Sequence, residues 1–232
     1  MTRITGFHQD EEGFWVADLE CGHTQHMRHN PPWRERAWVT TESGRSSKIG
    51  EDIECRECSG LAVYRLEKPA DVPGIRMVNE LAFGQPEEAD IVDRLRESCD
   101  DLLSLVAIRK KRLVGHILFS PATLETGDKV ITGTGLAPMA VLPGYQRKGI
   151  GSVLVRAGLT LLFHERQCPF VIVLGHPEYY PRFGFEPASK YGVKCQWKGI
   201  PDEAFMIRVK DGADTGGLSG VARYRDEFDA AM

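Results

Sequence analysis

The hexapeptide Gln146-Arg147-Lys148-Gly149-Ile150-Gly151 constrains the fold of this chain more than any other segment. It follows an apolar run, Leu136 to Leu142, that is broken by Pro138 and ended by Pro143-Gly144, the pattern of a strand running into a turn. After it, Val153, Leu154, Ala157, Leu161 and Leu162 recur at helical spacing, with Arg156 on the opposite face. Strand, glycine turn and helix are expected in that order. Glycines at this spacing remove the side chains that would keep backbone N–H groups from closing around a diphosphate, and the helix adds the positive end of its dipole. A second Gly-x-Gly triplet, Gly133-Thr134-Gly135, lacks that context; with 24 glycines in the chain, roughly two such triplets arise by chance.

The wider pattern has a family likeness. Pro138-Met139-Ala140-Val141-Leu142-Pro143 followed by Gln146-Arg147-Lys148-Gly149-Ile150-Gly151 closely resembles the acyl-CoA-binding motif of the GNAT acetyltransferases, whose core is Gln/Arg-x-x-Gly-x-Gly/Ala. Farther on, Phe170 to Leu174 reads as a buried strand, and Tyr179-Tyr180-Pro181-Arg182-Phe183-Gly184-Phe185 looks like the Phe-Tyr-x-Lys-x-Gly-Phe block that closes the same fold. Tyr64-Arg65-Leu66 and Pro69-Ala70-Asp71 resemble the first strand and the start of the first helix. Leu105 to Ile108, a charged turn Arg109 to Arg112, and Leu113 to Phe119 read as a hairpin. The resemblance covers about residues 62 to 232, most closely an uncharacterised bacterial branch. It implies an α/β (α+β) GNAT acyltransferase fold with a mixed central sheet over residues 61–232, preceded by a small β-rich domain over 1–60.

Charge and cysteine usage mark the same boundary. Residues 1–60 hold 7 basic and 11 acidic side chains, whereas residues 61–232 hold 22 of each. The acidic first segment and a net charge of -4 argue against nonspecific nucleic-acid binding. No apolar run reaches membrane-spanning length, and nothing at the start resembles a signal peptide, so a soluble cytoplasmic protein is expected. Cys99, Cys168 and Cys195 are scattered without metal spacing and read as reduced interior thiols.

Four of the seven histidines and three of the six cysteines fall within the first 58 residues. Ile4 to His8, a turn at Asp10 to Gly13, and Phe14 to Leu19 read as a hairpin leading into Cys21. Phe7, Trp15, Trp33 and Trp38 give so short a unit only a small core, and it needs a staple. Zinc held by Cys21, His23, Cys55 and Cys58 would provide one, because thiolates and imidazole satisfy its tetrahedral preference and close the intervening loop. His26 is the main rival to His23, and His29 a more distant one. The set has the spacing of half a RING-type site, without the second quartet. Four protein ligands leave no open position, so the zinc would be structural. The segment also resembles a small uncharacterised bacterial domain family with a Cys-Gly-His-x-Gln-His-x-Arg-His signature.

The GNAT resemblance implies acetyl transfer from acetyl-CoA to an amine, on a small molecule or a protein. Met139, Ala140 and Val141 would pair with pantetheine, while amides from Arg147 through Lys148, Gly149, Ile150 and Gly151 to Ser152 grip the pyrophosphate after Gln146. Tyr180 stands where the family keeps its general acid. An alkylamine costs roughly 4 kcal/mol to deprotonate at neutral pH, so a base should assist; His116 and Glu125 are the candidates. His176 ends the Phe170 to Leu174 strand, where relatives often carry Asp or Asn. Acceptor specificity is expected from about Pro69 to Ser98 and Tyr191 to Asp202, where Glu87, Glu88 and Asp90 could attract a cation. An alternative keeps acyl-CoA binding but makes the chain a noncatalytic sensor acting through its zinc module.

Overall fold

The computed structural model describes residues 1–29, 35–60, 62–127, 129–212 and 218–231. It comprises two compact units, Met1–Val63 and Tyr64–Met232.

The first unit contains strands β1 (Thr2–Gln9), β2 (Trp15–Leu19) and β3 (Thr24–His26), a short helix α1 (Glu42–Ser46), strand β4 (Asp52–Ile53) and a single turn of helix, α2 (Arg56–Ser59). Its sheet has the order β3-β2-β1-β4. The β1–β2 turn closes because Asp10 Oδ1 accepts from the N–H groups of Glu12 and Phe14, at 3.0 and 2.8 Å, with Gly13 left-handed at φ 80°. Ile4, Ala17, Leu19, Met27, Val39 and Cys55 form a small core, on which Phe7, Trp15 and Trp38 pack. Trp33, expected in that core, lies outside the described residues.

Strand β5 (Val63–Leu66) starts at the boundary and leads, in the second unit, to helices α3 (Val72–Phe83) and α4 (Glu87–Ser98), then β6 (Leu103–Arg109), β7 (Arg112–Thr126) and β8 (Lys129–Val141). Helix α5 (Ile150–Thr160) follows, then β9 (Phe170–Leu174), β10 (Glu186–Pro187), β11 (Val193–Cys195), β12 (Phe205–Val209) and β13 (Gly220–Arg223). The sheet runs β10-β12-β9-β8-β7, and β7 is long enough to pair with β6 along its first half and with β13 along its second. β8 and β9 are parallel, as are β11 and β13. The fold is therefore mixed, as expected.

Strand alternation divides the core between the two faces. Leu118, Leu124 and Ile172 face α3 and α4 and join Ile75, Ile91 and Leu95. Phe119 faces the other way: a Cβ on Gly158 of α5 would strike its ring. Helix α5 thus covers one face, and α3 with α4 the other. The triplet Gly133-Thr134-Gly135 lies within β8, and its glycines let the rings of Phe170 and Tyr224 press against the backbone.

Candidate active site

The cleft originates in one irregularity of β8. Its residues pair regularly with β7 up to Leu136↔Phe119 and resume at Met139↔Ile117, so Ala137 and Pro138 together oppose Leu118, a β-bulge. Pairing with β9 ends at Leu136↔Val173. Pro138 has no N–H to extend the ladder, and the two parallel strands part. A cavity of about 1280 Å³ occupies the gap. Residues from α5 and from α3 and α4 line it, so it passes through the sheet from one face to the other.

At the α5 end, the loop forms a nest. Arg147 is left-handed at φ 58° and Gly149 at φ 81°, the alternation that turns successive N–H groups inward. Val153 N–H makes the first bond of α5, to Gly149 O at 3.1 Å, leaving the amides of Ile150, Gly151 and Ser152 without helical partners. Gln146 Nε2 donates to Val141 O at 3.0 Å and ties the loop to the end of β8. Gln146, Arg147, Gly149, Ile150, Gly151 and Ser152 all line the cavity. Lys148 does not: its Nζ turns back to Gly144 O at 2.7 Å. Met139 and Val141 line the cavity, whereas Ala140 alternates to the other side and is buried.

Tyr180 also lines the cavity. Its ring lies on the backbone at Gly175, where a Cβ would collide with it, and it makes edge contacts with Tyr179 and Phe185. Burial, with a smaller contribution from Tyr179, holds its phenol above the ordinary tyrosine range. Such a group is protonated at neutral pH and suited to give up a proton only to a basic atom. A Cβ on Gly151 would meet Tyr179 Oη at 2.9 Å and Met139 Sδ at 3.2 Å, so Gly151 is kept bare by close packing. Exposed His176 lines the cavity at the end of β9.

His116 does not reach this cavity. Its ring is fully buried on the α3 face, with Nδ1 3.1 Å from Asn79 Nδ2 and Nε2 3.0 Å from Ser104 Oγ. Asn79 donates through both contacts of its amide, to Ile75 O and to the ring. The imidazole proton therefore sits on Nε2 and faces Ser104, which bonds in turn to Glu67. Burial, and to a lesser extent Arg96, lowers its pKa to about 3. Glu125 is bound to Arg223 Nε at 2.9 Å, away from the cleft. Trp197 falls in the Tyr191 to Asp202 segment expected to face the acceptor, whereas sequence reasoning missed Tyr224 and Phe228, which line the cavity from beyond both motifs.

In the first unit, Cys21 Sγ, His23 Nδ1 and Cys55 Sγ lie within 4.8 Å of one another, the imidazole nitrogen 3.6 Å from Cys21 and 3.7 Å from Cys55. A zinc tetrahedron with S and N ligands has edges of roughly 3.5–3.8 Å, which both nitrogen–sulfur distances match. Hydrogen bonding from the His23 backbone and Thr2 lowers the Cys21 thiol to about 6. His26 is turned to Asp10, 3.4 Å away, and His29 accepts from Arg36 N–H at 2.9 Å. The side chain of Cys58 lies outside the described residues.

The family model for the acetyltransferase (GNAT) domain matches residues 63–188. The chain belongs to the GNAT family. It is 35% identical over 168 residues to the uncharacterized N-acetyltransferase YhbS of Escherichia coli K12, spanning 72% of this chain and 98% of that protein. The crystal structure of Escherichia coli YhbS in complex with CoA superposes with a TM-score of 0.66 at 33% identity, over 72% of this chain and 92% of that one. A Brucella melitensis GNAT acetyltransferase in complex with acetyl-CoA gives 0.60 at 33%, over 73% and 99%. Residues 5–62 match a family described as a protein of unknown function, DUF3565. The chain is thus a GNAT-fold acyltransferase with a β-rich N-terminal region.

Proposed function

We propose that the second unit transfers an acetyl group from acetyl-CoA to an amine, and that zinc on Cys21, His23, Cys55 and Cys58 stabilises the first unit as an accessory domain. The observation that carries the enzymatic reading is a cavity crossing the sheet at the β8–β9 split, with an amide nest at one end and the Tyr180 phenol on its wall. Acetyl-CoA brings the activated acyl group. Amides from Ile150 to Ser152, with the charge of Arg147, hold its pyrophosphate. The β8 backbone around Met139 to Val141 orients the pantetheine arm, with Ala140 taking part through its main chain alone.

As the acceptor nitrogen bonds to the acetyl carbon, the carbon–sulfur bond breaks and Tyr180 Oη supplies a proton to the departing sulfur. The amine's proton leaves to water in the open cavity, and the phenol is reprotonated from solvent. No base role is proposed for His116, which is enclosed by Asn79 and Ser104. Tyr180 supports catalysis over a sensor, since a sensor needs the nest but no proton donor beside it. Near-stoichiometric acetyl-CoA binding by calorimetry, with CoA release on adding amine acceptors, is the expected result. Tight binding without turnover of any amine would make the chain a sensor; no binding would remove both readings.

A further inference from the structure

The face of the cavity opposite α5 has its own chemistry. Phe83, at the end of α3, stands at one side. Trp197, Tyr224 and Phe228 stand at another, Trp197 stacked on Tyr224 with centroids 5.5 Å apart and Tyr224 against Phe228 at 5.3 Å. Tyr224 fixes this wall to the split itself, because its hydroxyl accepts the Leu174 N–H at 3.0 Å just past the last β8–β9 pair. Its ring can lie there only because Gly135 has no Cβ.

Two carboxylates, Glu88 and Glu178, line the same cavity, and Asp229 Oδ1 accepts from Trp197 Nε1 at 2.9 Å. Helix α4 begins Glu87-Glu88-Ala89-Asp90, and of its acids only Glu88 lines the cavity. Asp90 and Asp93 are spent on Arg76, each at 2.7 Å. Glu88 has no salt bridge among the described residues and accepts only from Gln85 Nε2, at 3.2 and 3.3 Å. A carboxylate without an ion pair and aromatic rings lining the same cavity together attract a cation and shelter an apolar body, since ring faces carry negative potential. A substrate carboxylate would be repelled there.

We propose that this face is the acceptor subsite and that it selects a monocationic amine carried on a flat aromatic or apolar body, with Glu88 drawing in the ammonium and Trp197, Tyr224 and Phe228 receiving the body. This rests on the coenzyme reading above. The test uses the full chain, acetyl-CoA, and four probes: phenethylamine and tryptamine, spermidine as a cation without the body, and phenylalanine as the same body with an added carboxylate. The two aryl amines should give kcat/KM at least tenfold above the other two. Glu88→Gln should raise the KM for phenethylamine about tenfold while kcat and the acetyl-CoA Kd stay unchanged, and Trp197→Ala should do the same for tryptamine. Glu88 is only partly buried, so its variant keeps the test valid should the Trp197 variant misfold. Preference for spermidine or phenylalanine, an unmoved KM in Glu88→Gln, or acetyl-CoA binding without aryl-amine turnover overturns the subsite. Absent acetyl-CoA binding overturns the coenzyme reading beneath it.

Discussion

The two units solve the problem of a stable interior differently. In Tyr64–Met232 both faces of a broad sheet are covered by helices, and the core is continuous enough that β8 and β9 can part within it. Among the described residues of Met1–Val63 the core cluster has six buried side chains, and one of them, Cys55, belongs to the Cys21–His23–Cys55 group. The larger unit can give up backbone pairing to make a cavity. The smaller one has no such surplus, and under the proposed reading its cysteine and histidine cluster serves to hold it together.

Removing metal should separate the units most sharply. Cys55→Ser or a strong chelator should release near-stoichiometric zinc and unfold the first unit, because structural zinc contributes on the order of 10 kcal/mol in comparable modules. Elemental analysis and scanning calorimetry would read this, with the acetyl-CoA Kd unchanged. A zinc-free protein with the same two unfolding transitions would break the contrast. Next in size, Tyr180→Phe should lower kcat by about 100-fold or more while leaving the KM for acetyl-CoA nearly constant. The packing on Gly175 is retained, so a loss of folding would not account for it.

Gly151→Val should weaken acetyl-CoA binding about tenfold, or roughly 1.4 kcal/mol, because the added carbons meet Tyr179 and Met139. Gly144→Ala, with nothing within 4 Å of its Cβ position, should leave calorimetric affinity unchanged. A further effect, confined to acid pH, concerns His116. Its folded pKa of about 3 lies below the ordinary 6.5, so its neutral form favours folding fully above pH 6.5. That contribution is lost as pH falls toward 3, with a slope approaching about 1.4 kcal/mol per pH unit. His116→Gln should flatten the slope in denaturant titrations across that range.

The strand, turn and helix around Gly149 were legible because the requirement is local: backbone amides, a left-handed residue and no Cβ. The β6–β7 hairpin was legible as well, but its turn is narrower than the four charged residues suggest. Only Lys110 and Lys111 turn, at φ 49° and 61°, a two-residue loop of the kind usually signalled by Asn-Gly. Lysine carries no such signal. His116 shows the limit in the candidate site, since its direction depends on which face of β7 meets α3. Likewise the preference for His23 over His26 follows from β3, which turns His26 toward Asp10. The aromatic wall depends on Tyr224 meeting Gly135 from a distant part of the chain, and no spacing records that.

The through-going gap between β8 and β9 also fixes the order in which things can happen. Two reactants that approach from opposite sides of one layer need not displace each other, so both can be resident when the bond is made. Initial-rate plots at several fixed concentrations of the second reactant should intersect rather than run parallel.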